Sequence, residues 1–173
     1  MFLRRVLITI GCILFSLLCQ ANSSLGDINI ELRGNVVDFT CAVIAGDSNK
    51  SVNLGTWPTK QQLHAAGDAT PPVAFSLKLE GCPPGSASIT FSGTPTPGTA
   101  LLALADTVMA QKLAIEIRDG DQRRLPLEQA SKAVDIDNNG NASLTFYANY
   151  IALADGVQPG VANADATFMI NYN

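Results

Sequence analysis

The sequence predicts an all-β domain, two sheets of short strands packed as a sandwich. Three observations lead there. Short segments alternate apolar and polar side chains with the two-residue period of a half-buried strand. Connections rich in glycine and proline separate them, notably Gly81–Gly85 and the run GTPTPG at Gly93–Gly98. The segments recur at regular spacing in a chain of one-domain size, which is the pattern of a β-sandwich.

Ahead of the strands, residues 1–21 form a secretory signal peptide. Arg4 and Arg5 make a basic start, a short apolar run follows from Val6 to Leu18, and Cys19-Gln20-Ala21 places small residues at a cleavage site. The run is too short for a membrane span, and no stop-transfer pattern follows. A lipoprotein signal modified at Cys19 is the competing reading, but Leu18 stands where a small residue would be expected. Cleavage leaves Asn22–Asn173, about 150 residues, enough for one domain with a sizeable core.

The first strand of the mature chain is Ile28–Gly34. Ile28, Ile30 and Leu32 share one face; Asn29, Glu31 and Arg33 share the other. Val36–Ile44 follows, then a weaker Ser51–Leu54, and Thr59–Ala66 is expected to form a turn of helix. Val73–Leu79 turns Val73, Phe75, Leu77 and Leu79 inward and Ser76, Lys78 and Glu80 outward. Further strands are expected at Ser88–Phe91, Lys112–Arg118, Val134–Ile136 and Ala142–Ile151. The last is Ala164–Tyr172, with Ala164, Ala166, Phe168, Ile170 and Tyr172 on one face. A chain ending inside this strand would leave its terminal carboxylate at the end of a sheet.

Composition narrows the function. Of 11 basic residues, removal of Arg4 and Arg5 leaves 9 against 15 acidic ones, a net charge of −6. Nucleic acid or an anionic membrane surface is a poor partner for such a chain. Cleavage also leaves two cysteines, Cys41 and Cys82, which in an exported chain read as a disulfide, with two free buried thiols as the alternative. The lone His64 has no clustered co-ligand, so neither a metal site nor any other cofactor is expected.

Candidate chemistry is sparse. Asp135–Asn141, DIDNNGN, resembles the start of a calcium loop, but Phe146 stands where the bidentate acid is required. Asn139-Gly140 reads better as a two-residue hairpin turn. Asp119 and Asp121 flank Gly120 in RDGDQRR, which reads as a solvated turn, and Arg123-Arg124 as a solvated loop. With one histidine, no G-x-S-x-G and no reactive thiol, an activated nucleophile has no evident source, and the chain is not expected to be an enzyme. Trp57 and His64 read as core packing or ordinary surface rather than a ligand site.

The whole mature chain resembles the chaperone–usher pilins, subunits of Gram-negative fimbriae. The resemblance rests on a signal peptide, an alternating extension, Cys41, Cys82 within LEGCPPG, LAIEIRDGD, the late LTFYANY, and a C-terminal strand whose penultimate residue is Tyr172. Gly160, fourteenth from the end, completes a recurring pilin signature. IELRGNVVDFTCAV and ALLALADTV are most similar to the minor subunits of type 1 fimbriae that act as adaptors in the tip fibrillum.

The resemblance implies an incomplete immunoglobulin-like sandwich that lacks its final strand. It divides the mature chain into an N-terminal extension, 22–36, and a pilin domain, 37–173. It implies export through the periplasm to a fimbrium on the bacterial surface. The implied partners are a periplasmic chaperone, an outer-membrane usher and neighbouring subunits. The chaperone lends a strand first, and the extension of the next subunit replaces it, β-augmentation between chains. The donor face would be Ile28, Ile30, Leu32, Gly34 and Val36. The acceptor groove and chaperone-binding surface would include Gly160, Ala166, Phe168, Ile170, Tyr172 and Asn173. Cys41–Cys82 would tie the first strand to its neighbour. The alternative, a sugar-binding fimbrial adhesin, would need a lectin domain that one domain's length leaves no room for.

Overall fold

The computed structural model describes residues 41–105 and 110–173. Among the described residues, seven strands and one short helix follow in order: β1 (Ala42–Val43), α1 (Thr59–Gln62), β2 (Val73–Glu80), β3 (Ser86–Gly93), β4 (Leu113–Arg118), β5 (Val134–Asp135), β6 (Ala142–Ala152) and β7 (Ala166–Tyr172). They form two antiparallel sheets, β1-β2-β6-β4 and β5-β3-β7.

Alternation places one face of each sheet inside. Leu77 and Leu79 of β2, Ile115 and Ile117 of β4, and Leu144 and Phe146 of β6 meet Ala87, Ile89 and Phe91 of β3 in one core. Cross-strand register puts Phe75 beside Phe146 and Phe91 beside Phe168. Phe91 and Phe146 join the sheets edge to face, with centroids 4.9 Å apart. Phe75 and Phe168 extend that cluster, at 5.7 Å from Phe146 and 6.4 Å from Phe91 respectively. Such geometry adds to the apolar burial of the rings.

The core thins toward one side. Phe146 is buried, whereas Val73, Phe75 and Phe168 are only half-buried. The outer face of the first sheet carries a buried polar centre. The Glu116 side chain is 2% exposed and pairs with Arg118 Nη2 at 2.7 Å and Arg124 Nε at 2.6 Å; Asn149 Nδ2 donates to it at 3.2 Å. Burial pushes the Glu116 carboxyl up, but its bonds to Arg124, Arg118 and Asn149 outweigh that and hold it below the ordinary carboxylate range.

Several expectations change. Ser51–Leu54 is not a strand: it runs outside both sheets. The helix is shorter than Thr59–Ala66 and lacks a side-chain N-cap, since Pro58 precedes it. Of Val36–Ile44, Ala42–Val43 is strand, and residues up to 40 lie outside the described ones. Asn139-Gly140 is a turn but not a hairpin, because β5 and β6 belong to different sheets. Asp137 Oδ1 accepts the amides of Asn139 and Asn141, both at 2.8 Å, and so closes a crossover between sheets. Gly140 there has φ +78° and sits so close to Cys82 that a Cβ would lie 2.9 Å from its carbonyl oxygen. Arg124 departs from the solvated loop expected of it, since it is a partner of Glu116.

Candidate functional site

Where the core thins, a groove of ≈ 1420 Å³ opens between the sheets. Its floor is apolar and drawn from both sheets: Phe75 and Leu77 of β2, Ile115 and Ile117 of β4, Tyr150 of β6, and Phe91 of β3, with Leu102 added from a loop. One wall is Ser48–Trp57. The other is Pro159–Ala166 continuing into Phe168.

Among the described residues, both walls carry backbone groups that no other backbone engages. Just past β7, Asn173 exchanges both backbone hydrogen bonds with Ser86, at 2.9 and 3.0 Å, which fixes the parity of the ladder. Asn171, Met169 and Thr167 therefore address β3, while Ile170, Phe168 and Ala166 turn their amides and carbonyls the other way. Among the described residues β7 has one strand neighbour, β3. On the facing wall, no backbone-to-backbone hydrogen bond among the described residues engages Ser48–Trp57. An apolar trough between backbone edges left unpaired among the described residues is unfavourable in water.

Asp47 roots the first wall. β1 leaves β2 after Ile44 N–H bonds to the Lys78 carbonyl at 3.0 Å. The Lys78 amide, which would pair next, donates instead to Asp47 Oδ2 at 3.0 Å. Asp47 Oδ1 takes Lys50 Nζ at 2.6 Å. The Lys50 bond, against burial and with help from the Lys78 amide, holds the Asp47 carboxyl below the usual carboxylate range. At the wall's far end the Trp57 indole donates to the Leu54 carbonyl at 2.6 Å.

The acceptor residues expected from sequence distribute along this edge. Gly160, Ala166 and Phe168 line the groove. Ile170 lies further along the strand, half-buried against the main core. Tyr172 is exposed, and its hydroxyl donates to the Cys41 carbonyl at 3.1 Å. Asn173 ends the β3–β7 ladder. Cys41 and Cys82 are joined as a disulfide beside the Ala42–Glu80 pair, so it links β1 to the end of β2. The donor face, Ile28, Ile30, Leu32, Gly34 and Val36, lies outside the described residues.

The sequence marks Ser51–Leu54 as a weak strand but not as the wall of a groove. Val52 and Leu54 alternate there without a partner in either sheet. Trp57, taken for packing or surface, is half-buried and lines the groove. The other candidates are structural. Asp119 accepts amides of Gly120 and Lys132, both at 2.7 Å, within a turn. His64 is exposed, and its carbonyl accepts the Gly156 amide at 3.2 Å. Among the described residues no group of three or more His, Cys, Asp or Glu side chains could hold a metal ion.

Comparison with known proteins agrees with this geometry. A family model described as "Fimbrial protein" matches residues 30–173. The chain is 90% identical to the fimbrial-like protein FimF of Salmonella typhimurium, over 100% of both chains. It is 34% identical to a Salmonella typhimurium type 1 fimbrial subunit, covering 83% of this chain and 81% of the relative. Among solved structures, the P pilus rod subunit PapA superposes with a TM-score of 0.64 at 18% identity, covering 77% of this chain and 99% of that one. A Burkholderia pseudomallei antigen and type I fimbria protein gives 0.60 at 26% identity, over 79% and 91%.

Proposed function

Because this chain belongs to the fimbrial protein family, we propose that its groove is the acceptor site through which it polymerises as a minor, tip-type subunit of a chaperone–usher fimbria. The protein is a structural subunit, not an enzyme. Its work is to accept one strand and to donate another. The periplasmic chaperone holds it first; the usher then exchanges the chaperone's strand for a neighbour's extension, and the product is a surface fimbrium.

The observation that carries this reading is the pair of facing backbone edges, Ser48–Trp57 and Ala164–Ile170, over an apolar floor. A strand laid between them would pair on both sides and bury its apolar face against Phe75, Phe91 and Phe168. The occupant we assign is the alternating extension of a neighbouring subunit. This chain's own donor would be residues 22–36, with Ile28, Ile30, Leu32 and Val36 inward and Gly34 at a shallow point. Asn173, paired with Ser86 at the end of the β3–β7 ladder, is the residue assigned to basic groups of the chaperone.

The test is deletion of Asn22–Arg33. The truncated subunit should still bind chaperone and accept a donor strand, yet donate to no neighbour. If it still enters fimbriae as a donor, the assignment of the extension fails.

A further inference from the structure

A groove that selects its strand only by alternation has a weakness. Side chains repeat every two residues, so a donor that slips by two keeps every apolar side chain inward. Alternation rejects a slip of one and is blind to a slip of two. Gly34 at its shallow point opposes such a slip from the donor's side, and a stop on the acceptor's own edge would oppose it from the other.

Such a stop is present on the β7 side. In the leader to β7, the carbonyls of Val161 and Asn163 accept the amides of Ala110 and Ala105, at 2.9 and 2.8 Å. Successive carbonyls of extended chain face opposite ways, so the Ala162 carbonyl faces the edge that Ala164, Ala166, Phe168 and Ile170 present to the groove. Of the backbone groups on that edge, among the described residues, the Ala162 carbonyl alone is taken: the Tyr150 hydroxyl donates to it at 2.8 Å. Tyr150 stands on the groove floor in β6, half-buried, with its ring packed against both the main core and the smaller cluster around Leu113 and Val157.

Resting on the strand-exchange reading, we propose that Tyr150 is a register-setting residue whose hydroxyl closes the edge at Ala162, so that a donor strand pairs from Ile170 to Ala164 and stops. A strand that ran on to Ala162 would have to displace a half-buried hydroxyl from its acceptor and leave it unsatisfied. The stop therefore penalises a two-residue slip from the acceptor's side, beside the shallow point that Gly34 occupies on the donor's. It is a positioning role, exerted through a backbone carbonyl, and distinct from packing by the ring.

The experiment uses the mature subunit, purified with its chaperone, and donor peptides taken from the N-terminal extensions of the fimbria's subunits, this chain's Ile28–Val36 among them, each lengthened by two residues at either end. Hydrogen exchange along the bound peptide and its dissociation rate are measured for the natural protein and for Tyr150→Phe, which keeps the ring. In the natural protein, peptide amides beyond the Ala164 position should exchange as free ones, and lengthening at that end should leave dissociation unchanged. In Tyr150→Phe, the lengthened peptide should gain protection opposite Ala162 and dissociate about five-fold more slowly, the worth of roughly one net hydrogen bond. Protection past Ala164 in the natural protein, or the same length dependence in both proteins, overturns the stop. Failure of every peptide to bind either protein overturns strand exchange itself, and the stop with it.

Discussion

The Tyr172 hydroxyl donates to the Cys41 carbonyl at 3.1 Å, joining residues 131 apart in sequence. The disulfide holds Cys41 against the end of β2, and Tyr172 closes the last turn of the β7 ladder. One end of the domain is thus fixed covalently and by hydrogen bonds, while the groove opens along the strands between it and Gly160. The rigid end positions the two walls, and on the strand-exchange reading the stretch between them receives the donor.

Loss of the disulfide should loosen that end. In a subunit complemented by a donor strand fused in cis, Cys41→Ala with Cys82→Ala should lower stability by roughly 3–4 kcal/mol, the chain-entropy effect of releasing such a loop. Chemical denaturation monitored by circular dichroism gives the value, and an unchanged midpoint would contradict the role assigned to the bridge.

Gly85 guards the chain terminus. It holds φ +145°, and a Cβ there would collide with the Asn173 carbonyl oxygen, which accepts the Ser86 amide. Gly85→Ala should destabilise the complemented subunit by about 1–3 kcal/mol and raise amide exchange at Ser86 and Asn173 first. Uniform loss of protection across both sheets would show that the effect is not local.

Glu116 should make the domain acid-sensitive. Its folded-state pKa is lowered, so its stabilising contribution is complete above the ordinary glutamate value of about 4.3 and is lost as pH falls through the lowered value. Denaturation midpoints of the natural subunit should therefore fall as pH drops below about 4. Glu116→Gln should start lower at pH 7 and show a flatter profile in that window. Parallel profiles for the two proteins would remove Glu116 from the account.

Asp47 roots the Ser48–Trp57 wall, and its loss should be felt there. Asp47→Ala frees the Lys78 amide and the Lys50 ammonium. The donor strand should dissociate about ten-fold faster, the equivalent of one charge-assisted hydrogen bond. Exchange should rise for Lys78 and for donor amides facing this wall, while those facing β7 stay protected. Equal loss on both sides of the donor would contradict a wall-specific role.

Sequence and structure agree best where alternation is strong and the partner strand lies in the same sheet. Val73–Leu79, Lys112–Arg118 and Ala142–Ile151 were legible because period two survives in a sheet with one face buried. Ser51–Leu54 misleads because Val52 and Leu54 alternate without a backbone partner among the described residues, so the sequence carries a strand's pattern without a strand's hydrogen bonds. Asn139-Gly140 has the composition of a hairpin turn, but the Asp137 carboxylate uses it to cross between sheets. Glu116 could not be placed, since Arg118, Arg124 and Asn149 come together on it only through β4–β6 pairing and the Asp119–Arg123 turn. The C-terminal strand is legible in the alternation of Ala166, Phe168 and Ile170, its place beside a vacancy is implied only by the family resemblance, and Tyr150 with its hold on Ala162 requires the three-dimensional arrangement.

The central claim is that the extension of one subunit completes the sandwich of another. A photo-crosslinking residue in place of Leu32, followed by mass spectrometry of purified fimbriae, tests it most directly. The account predicts crosslinks into the groove of a different subunit, at the counterparts of Phe75, Phe91 and Phe168. Crosslinks confined to this chain's own groove, or to no groove at all, would contradict it.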